Sequence, residues 1–168
     1  MSFFAHSANS AGVEHSLVEH LKSVARLARM FAEKFGAADF GYWAGLWHDL
    51  GKFHPDFQSY IATPESHRGP DHSSAGAVHA MTCFEGLAFL VAGHHGGLPN
   101  KTDLKHRLME KSGQPQVEEA LRLARMELSR IAPEEPLPQK LPDFLVKPSK
   151  RSEGEQRARQ TELFLRMV

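Results

Sequence analysis

Three features of the sequence predict an all-α fold. Apolar residues recur at helical spacing in several separate segments, helix caps and glycine stops bracket those segments, and no stretch alternates apolar and polar residues as a half-buried strand would. No internal repeat accompanies them. A length of 168 residues suits one domain, able to bury a sizeable core without disulfides.

The first helix is read in HSLVEHLKSVARLARMFAEKFG. Ser16 and Glu19 form a capping-box pattern, and Gly36 is placed to end the helix. Leu17, Leu21, Val24, Ala28, Phe31 and Phe35 step by four and three, which predicts one buried face. His20 falls at the edge of that face, whereas His15 precedes the cap and is free to point elsewhere. A second helix is predicted from about Phe40 to Leu50, with Asp39 as N-cap and Gly51 just past its end. His48 and Asp49 then occupy its last turn.

Pro55 opens a third helix, PDFQSYIA. Residues 63–71 are turn-rich loop, after which Asp71 can cap a helix in HSSAGAVHAMTC, whose small residues allow close packing. EGLAFLVAGHHGG is a short apolar helix ending at His94 and His95, before two glycines. KTDLKHRLMEKSG reads as a polar, basic-leaning solvated loop, and QVEEALRLARMELSRIA, preceded by Pro115, as an amphipathic helix. Residues 132–152 hold five of the ten prolines and read as a linker or long loop. EGEQRARQTELFLRMV begins a further helix. Its apolar end (Leu163, Phe164, Leu165, Met167, Val168) has no glycine cap or polar tail, which predicts a fragment of a longer polypeptide.

Composition narrows the function class. Hydrophobic residues at 41% and charged residues at 24% are those of an ordinary globular protein. There is no run of 18 or more apolar residues and no signal-peptide pattern, so no membrane partner is expected. The lone Cys83 excludes an internal disulfide and fits a reducing cytoplasm. A net charge of zero removes any global attraction for nucleic acid. Residues 101–168 carry 14 basic and 11 acidic side chains, so a nucleic-acid groove there is permitted but not required. No GxxxxGK[ST] pattern occurs, so ATP-driven unwinding cannot reside in this chain.

Histidine is the unusual residue. The chain has 11, ten of them before residue 96. WHDLGKF, residues 47–53, sets His48 and Asp49 among Leu46, Trp47, Leu50 and Phe53. Burying such a pair is costly unless a hydrogen-bond network or a metal satisfies it. Four elements place metal-capable groups at a helix end or buried face: His20, His48 with Asp49, Asp71 with His72, and His94 with His95. Imidazole and carboxylate together suit Mn, Fe, Co, Ni or Zn rather than Mg or Ca. Neighbouring residues on a helix point about 100° apart, so His48 and Asp49 need not share an ion. A carboxylate has two oxygens and can bridge two ions, which makes Asp49 the natural bridge. Lys52, just beyond Gly51, is placed either to meet a phosphate oxygen or to serve as a solvated lysine at a helix C-terminus.

Five motifs, in order, carry a family resemblance: FAHS at 4–7, LVEHLKSVA at 17–25, GLWHDLGKFHPDFQSYI at 45–61, DHSSAGA at 71–77 and AGHHGGLP at 92–99. Together they closely resemble the HD nuclease domain of type I CRISPR interference, within the HD superfamily of metal-dependent phosphohydrolases. The resemblance spans essentially the whole chain and implies a compact HD-domain helical bundle, lacking its C-terminal helices. It implies up to two divalent transition-metal ions (Mn, Fe, Co, Ni or Zn). Asp49 would be shared, with His72, His94 and His95 at one ion and His20 and His48 at the other. It further implies hydrolysis of single-stranded DNA, for which Asp49 and Lys52 are the candidate catalytic residues. The implied partners are a helicase domain, fused or separate, and the CRISPR RNA-guided surveillance complex. The family supplies a further Asp from a helix beyond the Pro-rich loop. QTELFLRMV resembles the start of that helix, which implies a weakened His20/His48 site and impaired activity.

Each candidate also has a plainer reading. His20 alone suits a hydrogen-bonded core histidine, His72 a residue at a helix start, and His94–His95 a surface loop. His79 shares a helix face with His72 and is expected to pack, and His6 has no assigned role. Two other functions compete: an HD-type nucleotide phosphohydrolase acting on small nucleotides, and a metal-free, non-catalytic HD module.

Overall fold

The computed structural model describes residues 2–63, 69–142 and 151–168. Among them are eight α-helices and one 3-10 turn, with no strand beyond an isolated bridge between Phe4 and Ser16. The all-α expectation holds. The helices are α1 (Leu17–Glu33), α2 (Ala38–Trp47), α3 (Pro55–Ala62), α4 (Ser73–Cys83), α5 (Glu85–Gly93), α6 (Lys101–Lys111), α7 (Pro115–Leu128) and α8 (Arg151–Met167), with the 3-10 turn at Leu50–Phe53.

α1 and α2 form the tightest pair. Gly36, at φ +72°, turns the chain between them as its position at the end of the first helix predicts. A Cβ at Gly41 would fall 2.5 Å from the Ala28 carbonyl oxygen, and one at Gly45 would fall 2.7 Å from the Ala25 Cα. Rising position on α2 meets falling position on α1, so the two helices run antiparallel with their backbones nearly touching. This close approach corrects the predicted buried face of α1. The buried residues are Leu17, Leu21, Ala25 and Ala32, while Phe31 is 61% exposed. Small side chains face the α2 glycines, and no phenylalanine would fit between them.

Capping differs in detail from the sequence reading. Ser16 makes no side-chain cap bond, and Glu19 pairs instead with Lys22 at 2.9 Å. α2 starts at Ala38, so Asp39 lies in its first turn, where its carboxylate accepts from the Phe40 N–H. Asp71 does cap α4, one residue before the assigned N-cap: its two oxygens accept from the Ser74 N–H at 3.1 Å and hydroxyl at 2.6 Å.

Residues 101–111 form a helix rather than a solvated loop. Asn100 caps it by accepting from the Asp103 N–H, and Leu104 and Leu108, one turn apart, are buried. The described part of the Pro-rich stretch lies across α1 and α2. Arg26 and Arg29 pair with Glu134 and Glu135, and the Trp43 indole donates to the Pro136 carbonyl at 2.9 Å. Residues 143–150 lie outside the described residues.

One core joins these elements. Phe40, Phe53, Phe164, Leu17, Leu21 and Leu87 are among its fully buried side chains. Each contributes about 1.5–3 kcal/mol relative to leaving it in water. Phe164 of α8 meets Phe40 edge-on at 5.1 Å, which fixes α8 against α2. No described helix is long and apolar enough to cross a membrane.

Candidate metal centre

The centre begins where α2 ends. The sequence predicts helix through Leu50, but the helix stops at Trp47, with His48 as its C-cap. The Gly51 N–H donates to the His72 carbonyl at 3.1 Å instead of continuing the helix ladder, and the Lys52 N–H donates to the Asp49 carbonyl at 2.9 Å. Asp49 thus leaves helical geometry, at φ −116° and ψ 25°, and its side chain turns inward to 3% exposure. Only glycine fits at position 51, because a Cβ there would fall 2.6 Å from the His72 Cα. The same contact seats His72 beside Asp49. At position 76 a Cβ would overlap the Trp47 carbonyl, so Gly76 lets α4 lie against the end of α2.

Imidazoles from four elements surround the Asp49 carboxylate. Nε2 of His48 lies 2.9 Å and Nε2 of His20 lies 3.5 Å from Oδ2. Nε2 of His94 lies 3.6 Å and Nε2 of His72 lies 3.8 Å from Oδ1. His95 joins through its Nε2, 2.7 Å from that of His72. Two ligand groups result, His20–His48–Asp49 and Asp49–His72–His94–His95, each with its ligand atoms within 4.8 Å of one another. Asp49 belongs to both. His48 and Asp49 fall in one group despite the angle between neighbours on a helix, because the chain leaves the helix between them.

The hydrogen atoms decide what this arrangement can hold. Nδ1 of His48 contacts the Gly45 carbonyl at 2.7 Å, that of His94 the Val91 carbonyl at 2.6 Å, and that of His72 the Pro70 carbonyl at 3.2 Å. A carbonyl only accepts, so each Nδ1 carries the hydrogen and each neutral ring turns a lone pair at Nε2 toward Asp49. Acceptor then faces acceptor, which is favourable only with a proton or a cation between them. Oδ1 of Asp49 is buried with no hydrogen-bond partner. Donor type, convergence and the orphaned oxygen all fit a divalent transition-metal ion.

Ionisation favours the same outcome. Burial opposes a charge on Asp49, but hydrogen bonds from His20, His48 and His94, donated when those rings carry a proton at Nε2 as well, outweigh it and hold the carboxyl well below the usual carboxylate range. A bound cation would take the place of those protons. Burial lowers the pKa of His72, and of His95 together with the neighbouring His94 and His72 rings, favouring the neutral form that binds metal.

Lys52 is not a solvated lysine. Its side chain is 14% exposed, and Nζ lies 2.8 Å from Asp49 Oδ2 and 3.0 Å from the Ala5 carbonyl oxygen. His79 packs edge-on against Trp47 at 4.6 Å, outside both groups, and burial lowers its pKa. His54 caps α3 by accepting from the Asp56 N–H. His67 lies outside the described residues.

His15 does not point elsewhere. Its ring centroid is 5.7 Å from that of His20, and the His6 centroid is 5.6 Å from that of His15. No periodicity could reveal this approach, because it depends on pairing residues 3–5 with residues 15–17. A cleft of about 420 Å³ opens on His48 and His94 and is lined across from them by Leu165 and Arg166 of α8. A separate pocket of about 340 Å³, lined by Trp43, Trp47 and Leu121, contains no member of either ligand group.

Residues 1–161 match the family described as Cas3, HD domain. No curated protein matches the chain.

Proposed function

The chain belongs to the Cas3 HD-domain family, which carries a metal-dependent nuclease role in CRISPR systems, and on that premise we propose that it hydrolyses phosphodiester bonds of single-stranded DNA in type I CRISPR interference. The observation that supports this reading is the buried Asp49 carboxylate, with one oxygen toward His20 and His48 and the other toward His72 and His94. The strand would be delivered by a helicase, fused or separate, recruited by the RNA-guided surveillance complex.

Metal ions would be held by Asp49, His72, His94 and His95 in one group and by His20, His48 and Asp49 in the other. Ions bound there supply Lewis-acid activation of water and of the phosphoryl oxygen. The chain's own residues supply the rest. Backbone carbonyls of Gly45, Pro70 and Val91 fix the tautomers of His48, His72 and His94, so that Nε2 is the ligating atom in each. Burial keeps Asp49 out of bulk water. Lys52 neutralises Asp49 and keeps an ammonium group at the centre, where it can stabilise the negative charge that develops on a phosphate.

The test is cleavage of labelled single-stranded DNA against turnover of mononucleotides, with Mn, Fe, Co, Ni or Zn added in turn. Asp49→Ala is expected to lower DNA cleavage by at least about a thousandfold, the effect of removing several kcal/mol of charge stabilisation. Mononucleotide turnover without DNA cleavage would point to a nucleotide phosphohydrolase. Absence of metal and of both activities would leave a docking module.

A further inference from the structure

Two histidines outside the ligand groups stand beside them. Residues 3–5 run antiparallel to residues 15–17, with the Ala5 N–H donating to the His15 carbonyl at 2.9 Å and the Leu17 N–H to the Phe3 carbonyl at 2.8 Å. This pairing sets the His6 and His15 rings side by side, and both approach His20. The three centroids are separated by 5.6, 5.7 and 6.5 Å, a nearly equilateral triangle of imidazoles. His6 and His15 are exposed, whereas His20 is half-buried and reaches Asp49.

The segment carrying His6 is anchored on its other side as well. Gln58 exchanges two hydrogen bonds with the Phe4 backbone, at 2.9 and 3.0 Å. Lys52 donates to the Ala5 carbonyl while also touching Asp49. Phe3 meets Phe53 edge-on at 5.0 Å, and Ala5 is fully buried. A ligand on His6 and His15 would therefore be held in register with the metal centre by the same lysine that contacts Asp49.

The size of the triangle selects the ligand. Transition-metal ions sit about 2.0–2.1 Å from imidazole nitrogens. Among the described residues, only the two groups around Asp49 bring their ligand atoms within 4.8 Å of one another, and neither includes His6 or His15. A phosphate is larger than an ion and presents its oxygens outward, to donors about 2.7–3.2 Å away. The His6 Nδ1 hydrogen now reaches the Ser7 carbonyl at 3.2 Å, an exposed bond that a phosphate oxygen can replace.

We propose that His6 and His15 form a phosphate-binding subsite for the nucleic-acid strand, gripping a phosphate next to the one at His20, His48 and Asp49. The inference rests on the nuclease reading above and adds to it a positioning contact that ignores base identity.

Two measurements test it. In steady-state cleavage of single-stranded DNA, the double variant His6→Ala/His15→Ala should raise KM at least about tenfold, with the loss in KM rather than kcat. The metal content should match the parent, and the variant His6→Lys/His15→Lys should restore KM. Separately, inorganic phosphate titrated into the Zn-loaded parent should shift the His6 and His15 ring signals in NMR spectra. Parental KM in the double alanine variant, or loss of metal from it, would overturn the subsite. If the parent cleaves no DNA, the nuclease reading falls and the phosphate titration alone decides: shifted His6 and His15 signals uphold the subsite, and unmoved signals overturn it.

Discussion

His48 and His94 occupy the same position on two different helices, the C-caps of α2 and α5, and both anchor Nδ1 to the carbonyl three residues back. Their rings stand 5.3 Å apart and nearly perpendicular, with His48 facing Oδ2 and His94 facing Oδ1 of Asp49. Two helix ends thereby present one lone pair each to opposite oxygens of a single carboxylate.

Unequal ion affinities follow from the two groups. The His72–His94–His95 side offers four residues and the orphaned Oδ1, while the His20–His48 side offers three and an oxygen already touched by Lys52. Calorimetric titration should show one ion bound at least about tenfold more tightly, equivalent to about 1.4 kcal/mol. His95→Ala should weaken the tighter ion and His20→Ala the weaker one. Two ions of equal affinity would contradict this.

Lys52 and bound metal should compensate for one another. Lys52→Ala leaves the buried Asp49 charge without its ammonium partner, at a cost of about 3 kcal/mol in metal-free protein. Denaturant unfolding with chelator and then with Mn should show that the metal recovers part of that loss. A variant equally destabilised under both conditions would mean that Lys52 acts through packing alone.

Gly51 controls where His72 sits. Gly51→Ala forces a methyl group against the His72 backbone, and the resulting overpacking should cost about 1–3 kcal/mol. The same substitution should lower ion occupancy of the four-residue group more than that of the three-residue group. Unchanged occupancy, read by elemental analysis and metal titration, would show that His72 is not held through this contact.

Asp71 gives the fold an acid limit. Burial opposes its ionisation, but bonds from Ser74 and the ion pair with Lys111 outweigh that and lower its pKa from 3.8 to about 2. A carboxylate depressed in the folded state stabilises fully above its unfolded pKa and loses that contribution as pH falls through the folded value. The stability difference between the parent and Asp71→Ala should be constant above about pH 5 and shrink from about pH 4 toward pH 2. A difference that stays constant through that window would exclude the charge as its source.

Much of this protein is local and therefore legible in the residues. Glycine at 36, proline at 55 and aspartate at 71 act within a turn of where they stand, so their helix boundaries are fixed by nearby chemistry. The buried leucines of α6 escaped because three apolar positions in eleven residues, only two of them on one face, make a weak period, which only burial by neighbouring elements turns into a helix face.

Which side chains can bind metal, and the all-helical class, were already legible in the residues, because residue chemistry and short-range periodicity need no partner. How Asp49 faces two groups, why Phe31 lies outside the core and where His6 and His15 stand emerge in the folded chain alone. Each of those depends on a contact between segments remote in the chain: Gly51 with His72, Gly45 with Ala25, and Ala5 with His15.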